Sequence, residues 1–165
     1  MDESKDHSDF IGVENLITEH KAQLEIFRVY AQNHDWHLFH NSHYDWWTFP
    51  IDSASSFGFK YSVSQESIAK LSNNPIFLSD LAEGARLLLT SWGWDWSINC
   101  PLDFPETGQE WANWPIRLFK AWHSMEIFGN TVEAESLRKY AEWLHSRGIS
   151  FIYGERDLYQ EIMKN

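Results

Sequence analysis

The feature that most constrains the fold is an apolar stretch between a helix-start signal, Asn74-Pro75, and a helix-end signal, Gly93. Asn is a favoured N-cap residue and Pro is tolerated in a first turn, so this pair predicts where a helix begins. The helix is apolar on almost every face, through Ile76, Phe77, Leu78, Leu81, Ala85, Leu87, Leu88 and Leu89. Because such a helix is usually buried on all sides, we expect other elements to surround residues 75–92.

Helical spacing also occurs on the N-terminal side of this stretch. From Glu14 onward, residues at steps of three or four share one face: Ile17, His20, Leu24, Phe27, Ala31, His34 and Leu38. This spacing predicts one long helix that bends or frays at Asn33 and ends at Asn41-Ser42. Ser64 predicts the cap of a short helix that runs through Leu71.

Three more helices are predicted on the C-terminal side. One begins near Trp114, because Pro115 is compatible only with a first turn, and it ends at Gly129. Another begins at Asn130, where Glu133 three residues later suggests a capping box, and it ends at Gly148. A short helix from Glu155 to Lys164 closes the chain.

Two stretches are rich in aromatic residues and poor in helical signals, at residues 42–63 and 93–110. Pro and Gly interrupt both, so we expect long irregular loops. The alternation around Tyr61 gives a weak strand signal, and the β-prone run Ile149–Tyr153 is a candidate to pair with it.

The length of 165 residues suits one domain with a substantial core. We therefore predict a mainly α fold: a single-domain bundle of about five to six helices, with two long aromatic loops and room for one short two-stranded β element. Residues 1–10 are predicted as a flexible acidic tail and residues 11–165 as a single globular helical domain.

The charge distribution restricts the class of partner. The formal net charge is -11, and residues 41–115 hold nine acids against three bases. Such a field repels nucleic acid and anionic membranes and favours a basic protein surface. The alternative interpretation is that the acids only keep an aromatic-rich protein soluble. Cys100 is the single cysteine and the N-terminus lacks a signal-peptide pattern, so we expect a cytoplasmic protein without disulfides.

The ten tryptophans are the main candidates for binding. Five of them directly follow an acid, and an indole face beside a carboxylate is a favourable environment for a cation. The candidate residues for a basic partner or a small cation are Tyr44, Asp45, Trp46, Trp47, Trp94, Asp95, Trp96 and Asp103. The alternative is that these rings fill the gaps between helices.

A run of histidines at every third position suggests a metal site: His34, His37, His40 and His43. Residues six apart on a helix point about 120° away from each other, so one regular helix cannot bring three of them together. A divalent metal site therefore needs His37 and His40 at the helix end, with His43 or Asp45 folding back from the loop; the candidate set is His37, His40 and His43. The alternative is a polar helix end with His34 half buried.

No catalytic signature is present, and Cys100 has no base near it in sequence. Arg117 and Lys120 share a helix face, where with Arg86 they could clamp an anion. We expect them instead to be solvated surface charges.

These observations lead to a main hypothesis and two alternatives. The main hypothesis is a non-enzymatic cytoplasmic interaction protein (an inhibitor, an immunity-type protein or a regulatory factor) that binds a basic partner through the acidic, Trp-rich loops at 44–52 and 93–106. The first alternative is a small-ligand or metal-dependent enzyme with a pocket between these loops and the Arg117 helix. The second is a homodimer whose aromatic residues form the interface.

Overall fold

The computed structural model describes residues 9–42 and 45–164. In these residues the chain forms helices, with a short β-hairpin in two of the connections between them. Helices cover 59% of the described residues, which confirms the predicted mainly α fold. They are α1 (Val13–Gln32), α2 (Trp36–His40), α3 (Asp45–Thr48), α4 (Gln65–Ser72), α5 (Pro75–Ser91), α6 (Pro115–Phe128), α7 (Thr131–Ser146) and α8 (Leu158–Met163). Residues 1–8, where most of the predicted acidic tail lies, are outside the described residues.

Helix α5 occupies the centre of the fold, as its apolar sequence predicts. The side chain of Asn74 accepts a hydrogen bond from the Phe77 amide at 3.0 Å, which caps the helix where expected. Helix α5 packs against α1, α4, α6 and α7. Its buried residues include Leu81, Ala85 and Leu88, whereas Ile76 in the first turn stays exposed.

The long N-terminal helix is broken rather than merely bent. His34 adopts a left-handed conformation with φ of 56°, and Asp35 then caps α2 by accepting from the Leu38 amide. Because the axis changes direction here, the helical face predicted through residues 17–38 stops at the break. His34 and Leu38 are exposed instead of lying on the buried face, so that part of the prediction was wrong.

The remaining helices begin close to the predicted positions. Ser64 caps α4 through a bond from the Ser67 amide, and Pro115 occupies the first turn of α6. Asn130 precedes α7, but its side chain donates to the Leu78 carbonyl at 3.2 Å and forms no capping box. Asn130 therefore links α7 to the central helix.

The β structure differs from the predicted pairing. Strands β1 (Trp94–Asp95) and β2 (Cys100–Pro101) pair with each other, and so do β3 (Ile152–Tyr153) and β4 (Arg156–Asp157), both antiparallel. The β-prone run at 149–153 thus pairs with the residues that directly follow it and not with the region of Tyr61. Gly154 has φ of 63°, which permits the two-residue turn of this hairpin.

Aromatic residues fill the core between α5, α6 and α7. Trp92 and Tyr140 stack with ring centroids 5.6 Å apart, and Trp111 meets both rings. Trp122 is also buried. None of the described helices combines the length and the apolar character that crossing a lipid bilayer requires.

Candidate functional site

The loop at residues 93–110 is fixed to the core at its first end by Trp94. This indole is 3% exposed, donates to the Ser136 hydroxyl at 3.2 Å and packs against Tyr140 and Trp143. Trp94 was predicted as a binding residue, but the structure places it in the core, where it holds the start of the loop.

Asp95 shapes the turn between β1 and β2. Its carboxylate accepts from the Ser97 hydroxyl at 2.5 Å and from the Ser97 amide at 3.0 Å. The Ser97 hydroxyl is the main reason that the pKa of Asp95 lies below its ordinary value. Asp95 therefore stays ionised at neutral pH and its carboxylate is partly accessible.

The other end of the 93–110 loop is fixed to α2. The Gly108 carbonyl accepts from Nε2 of His40 at 2.9 Å, and His34 Nδ1 lies 2.8 Å from the Glu106 carboxylate. The Gln109 side chain bonds both the Thr90 carbonyl and the Glu106 amide. Both ends of the loop are thus held by specific contacts, and the middle has a defined position.

The middle of this loop presents apolar side chains to solvent. Phe104 is 93% exposed, Ile98 is 68% exposed and Trp96 is 36% exposed, with the Arg86 guanidinium 5.1 Å from the Trp96 ring. Asp103 is exposed beside Phe104. The sequence analysis missed Ile98 and Phe104. They could have been recognised as apolar residues in a Pro-rich loop without a helical or strand period that would bury them.

The histidine run is divided between different environments. His40 is buried, and burial lowers its pKa, whereas His37 lies on the surface beside Gly108. Within residues 9–42 and 45–164, no three His, Cys, Asp or Glu side chains are close enough to hold a metal. His43 lies outside the described residues, so the site formed by His37, His40 and His43 stays a prediction.

The segment at residues 44–57 is packed more closely against the helices from Trp46 onward, where its side chains are described. Trp47 is half-buried and donates from its indole nitrogen to the Gln23 side chain at 3.2 Å, and Trp46 meets the edge of Phe57. Phe49 and Pro50 are buried. Tyr44 and the side chain of Asp45 lie outside the described residues, and their predicted roles stay predictions.

A cavity of about 920 Å³ opens beside this segment. Its walls come from Trp46, Ile51 and residues 53–56, from α6 and from the β3–β4 hairpin. No described residue of the 93–106 loop lines it, so its position differs from that of the pocket predicted between the two loops.

The basic residues of α6 are buried, contrary to the expectation that they would be solvated. Arg117 is 1% exposed, donates to the His40 carbonyl at 2.9 Å and lies over the Trp114 ring. Lys120 is 8% exposed, with its ammonium 5.3 Å from the centre of the Trp46 ring. Arg86 instead pairs with Glu133, so the three residues do not form one clamp.

Comparison with known proteins provides no relative: no protein family, no curated protein and no solved structure shows significant similarity to this chain.

Proposed function

We propose that this chain is a non-enzymatic interaction protein, and that the 93–110 loop is its contact surface. The observation that carries this proposal is the exposure of Phe104, which is almost complete although both ends of its loop are fixed. An aromatic side chain held in solvent by an ordered loop loses little conformational freedom on binding, and it is a favourable interface anchor.

Charge supports a basic surface as the partner. From Gly93 to Ile116 the chain has no Lys or Arg, whereas it has Asp95, Asp103, Glu106 and Glu110. Carboxylates around an apolar anchor would attract Lys and Arg on a partner and speed its approach, whereas nucleic acid would be repelled. We further propose that the protein acts in the cytoplasm, in keeping with its single cysteine.

The test compares captured proteins between matched variants. Wild type, Phe104→Ser and Asp103→Lys are immobilised and exposed to lysate of the native host at low and high salt, and bound proteins are identified by mass spectrometry. Val132→Ser serves as the control, because Val132 is an exposed apolar residue on α7. We expect to capture a basic protein that binds wild type and the control and is lost at high salt. Its affinity for each loop variant should be at least about tenfold lower.

Stability measurements separate binding from folding. Because Phe104 is exposed, Phe104→Ser should change the free energy of unfolding by no more than about 0.5 kcal/mol. The proposal is wrong if nothing is captured, or if the loop variants capture the same proteins as wild type. The proposal would also be contradicted if wild type sediments as a dimer and Phe104→Ser as a monomer, which would favour the homodimer alternative.

A further inference from the structure

We propose that the cavity between residues 51–56, α6 and the β3–β4 hairpin is a binding site for a small organic anion with a planar apolar body. Its volume of about 920 Å³ lies within the range of roughly 300–1,000 Å³ typical of sites for small molecules. This site is separate in its residues from the 93–110 loop and does not depend on the function proposed for that loop.

The basic side chains in the cavity wall rest on aromatic rings. The guanidinium of Arg156 lies 5.0 Å from the centre of the Phe119 ring, and His123 stacks on Phe119 at 5.6 Å with 12° between the ring planes. The ammonium of Lys120 lies over Trp46. Contact with a ring face holds a cation in place, so these groups are ordered at the wall before a ligand arrives.

The wall has the opposite charge character to the chain as a whole. Among the described lining residues, Lys120 and Arg156 are permanent cations and Glu161 is the one carboxylate, although the chain carries a net charge of -11. The Asp52 carboxylate, which does not line the cavity, lies 2.9 Å from Nε2 of His123 and balances that side chain. The bond from Arg156 is the main reason that the pKa of Glu161 is lowered, and the charges of His123 and Lys164 act in the same direction. Glu161 is therefore ionised and already balances Arg156, so that Lys120 leaves the lining residues with one more cation than carboxylates.

Arg156 keeps hydrogen-bonding capacity for a ligand. Its Nε and Nη2 donate to the two Glu161 oxygens at 2.9 and 2.8 Å, which uses two of the five N–H groups of the guanidinium. The pair with Glu161 fixes the guanidinium plane, and the remaining donors are suited to a carboxylate or phosphate oxygen. Ser53, Ser55 and Ser56 also line the cavity, and their hydroxyl groups are further hydrogen-bond donors.

The rest of the cavity surface suits a flat apolar body. Trp114 and Tyr153 line it and are both exposed, and Ile116 and Ile152 add aliphatic surface. A planar ring can lie against such surfaces while its anionic group reaches Arg156. These two features together define the proposed ligand class as an aromatic carboxylate or a phosphate ester of a planar ring.

The first experiment uses matched pairs of probes that differ in charge but not in the ring. Benzoate is compared with benzamide, indole-3-acetate with indole-3-acetamide, and AMP with adenosine, by isothermal titration calorimetry at constant ionic strength. We expect at least one anion to bind at least tenfold more tightly than its neutral partner, and the pair that responds distinguishes a carboxylate from a phosphate. Binding by none of the anions, or equal binding by the neutral partners, would overturn the proposal.

The second experiment locates the site. Arg156→Gln should weaken binding of the responding anion at least tenfold, and Lys120→Met should also weaken it. Arg147→Gln is the matched control, because Arg147 likewise lies over an aromatic ring, at 4.9 Å from the centre of Trp143, but does not line the cavity. Arg156 is partly exposed, so its variant should fold even if Lys120→Met does not. Unchanged binding by Arg156→Gln would place the anion elsewhere and contradict the assignment.

Discussion

The 44–57 segment and the 93–110 loop look alike in sequence but differ in how the fold uses their aromatic residues. Both contain adjacent or near-adjacent tryptophans beside an acid, and Pro or Gly interrupts both. In the first segment, the two indoles lie half-buried against the helices, and Trp46 lines the large cavity. In the second, Trp94 is buried while Phe104 extends into solvent.

Two regions of similar aromatic content thus place their rings differently, so aromatic content alone does not determine which ring is exposed. The 93–110 loop is held at Trp94 and at Gly108, and none of residues 95–107 between these two points is buried. The 44–57 segment instead follows the helices closely, with Phe49 and Pro50 buried in its middle. The same composition therefore gives a cavity wall in one region and a candidate contact surface in the other.

The largest expected effect tests the anchor of the loop. Trp94→Ala removes a buried indole and its bond to Ser136, so the free energy of unfolding should fall by about 3–5 kcal/mol. Trp96→Ala, two residues away and partly exposed, should cost less than about 1.5 kcal/mol. Urea denaturation followed by circular dichroism measures both. Equal losses would show that the loop is not anchored as described.

The pH dependence of stability tests the buried histidine beneath the 44–57 segment. His20 is buried against Phe77, and burial lowers its pKa to about 4, an effect that the nearby Thr48 backbone partly offsets. The unfolded chain therefore binds this proton more readily than the folded one. The contribution of neutral His20 to the free energy of unfolding is fully present above pH 6.5. About 3 kcal/mol of it should be lost as the pH falls from 6.5 to about 4.

Two variants isolate the part of this pH dependence that comes from His20. His20→Gln should show a shallower loss of stability between pH 6.5 and 4, and the remainder should include His40, whose pKa is also lowered. Leu24→Ala is the control, because it removes buried side-chain atoms but no titrating group, and it should keep the wild-type slope. An unchanged slope in His20→Gln would exclude His20 as the source.

A smaller effect tests the close approach at the start of the 93–110 loop. Gly93 has φ of 81°, and a Cβ added there would lie 2.8 Å from the Gln109 carbonyl oxygen. Gly93→Ala should therefore cost about 2–3 kcal/mol. Gly148→Ala has a similar φ of 84° but nothing within 4 Å, so it should show only the backbone strain, about 1 kcal/mol. If thermal or urea unfolding gives equal losses, the contact with Gln109 is not a constraint.

Much of the helical fold could be predicted because its signals are local. Asn74, Ser64 and Pro115 mark helix starts through their own side chains, and the structure confirms each position within about one residue. The break at His34 is harder to predict from the sequence, because a left-handed histidine has no sequence signal comparable to that of Gly. The β-prone run at 149–153 was assigned the wrong partner because strand propensity does not specify which strand it pairs with.

The candidate sites were predictable only in part. Acid excess and tryptophan content pointed to residues 93–106, whose binding role stays a proposal, and they did not separate the buried Trp94 from the exposed Phe104. The burial of Arg117 and Lys120 was missed because a charged residue on a helix is usually solvated. Among their partners here are the His40 carbonyl and the Trp46 ring, which come from elsewhere in the chain, and the Trp114 ring, three residues before Arg117.

Local sequence patterns were enough to predict the helical class, the central position of residues 75–91 and the positions of most helix ends, because periodicity and capping act within a few residues. The tertiary structure decided which tryptophans are buried, where the cavity lies and which basic residues face it. Those properties depend on contacts between residues far apart in the chain, such as Arg117 with His40 and Trp94 with Ser136. No local pattern specifies such pairs, since they arise only when the helices pack.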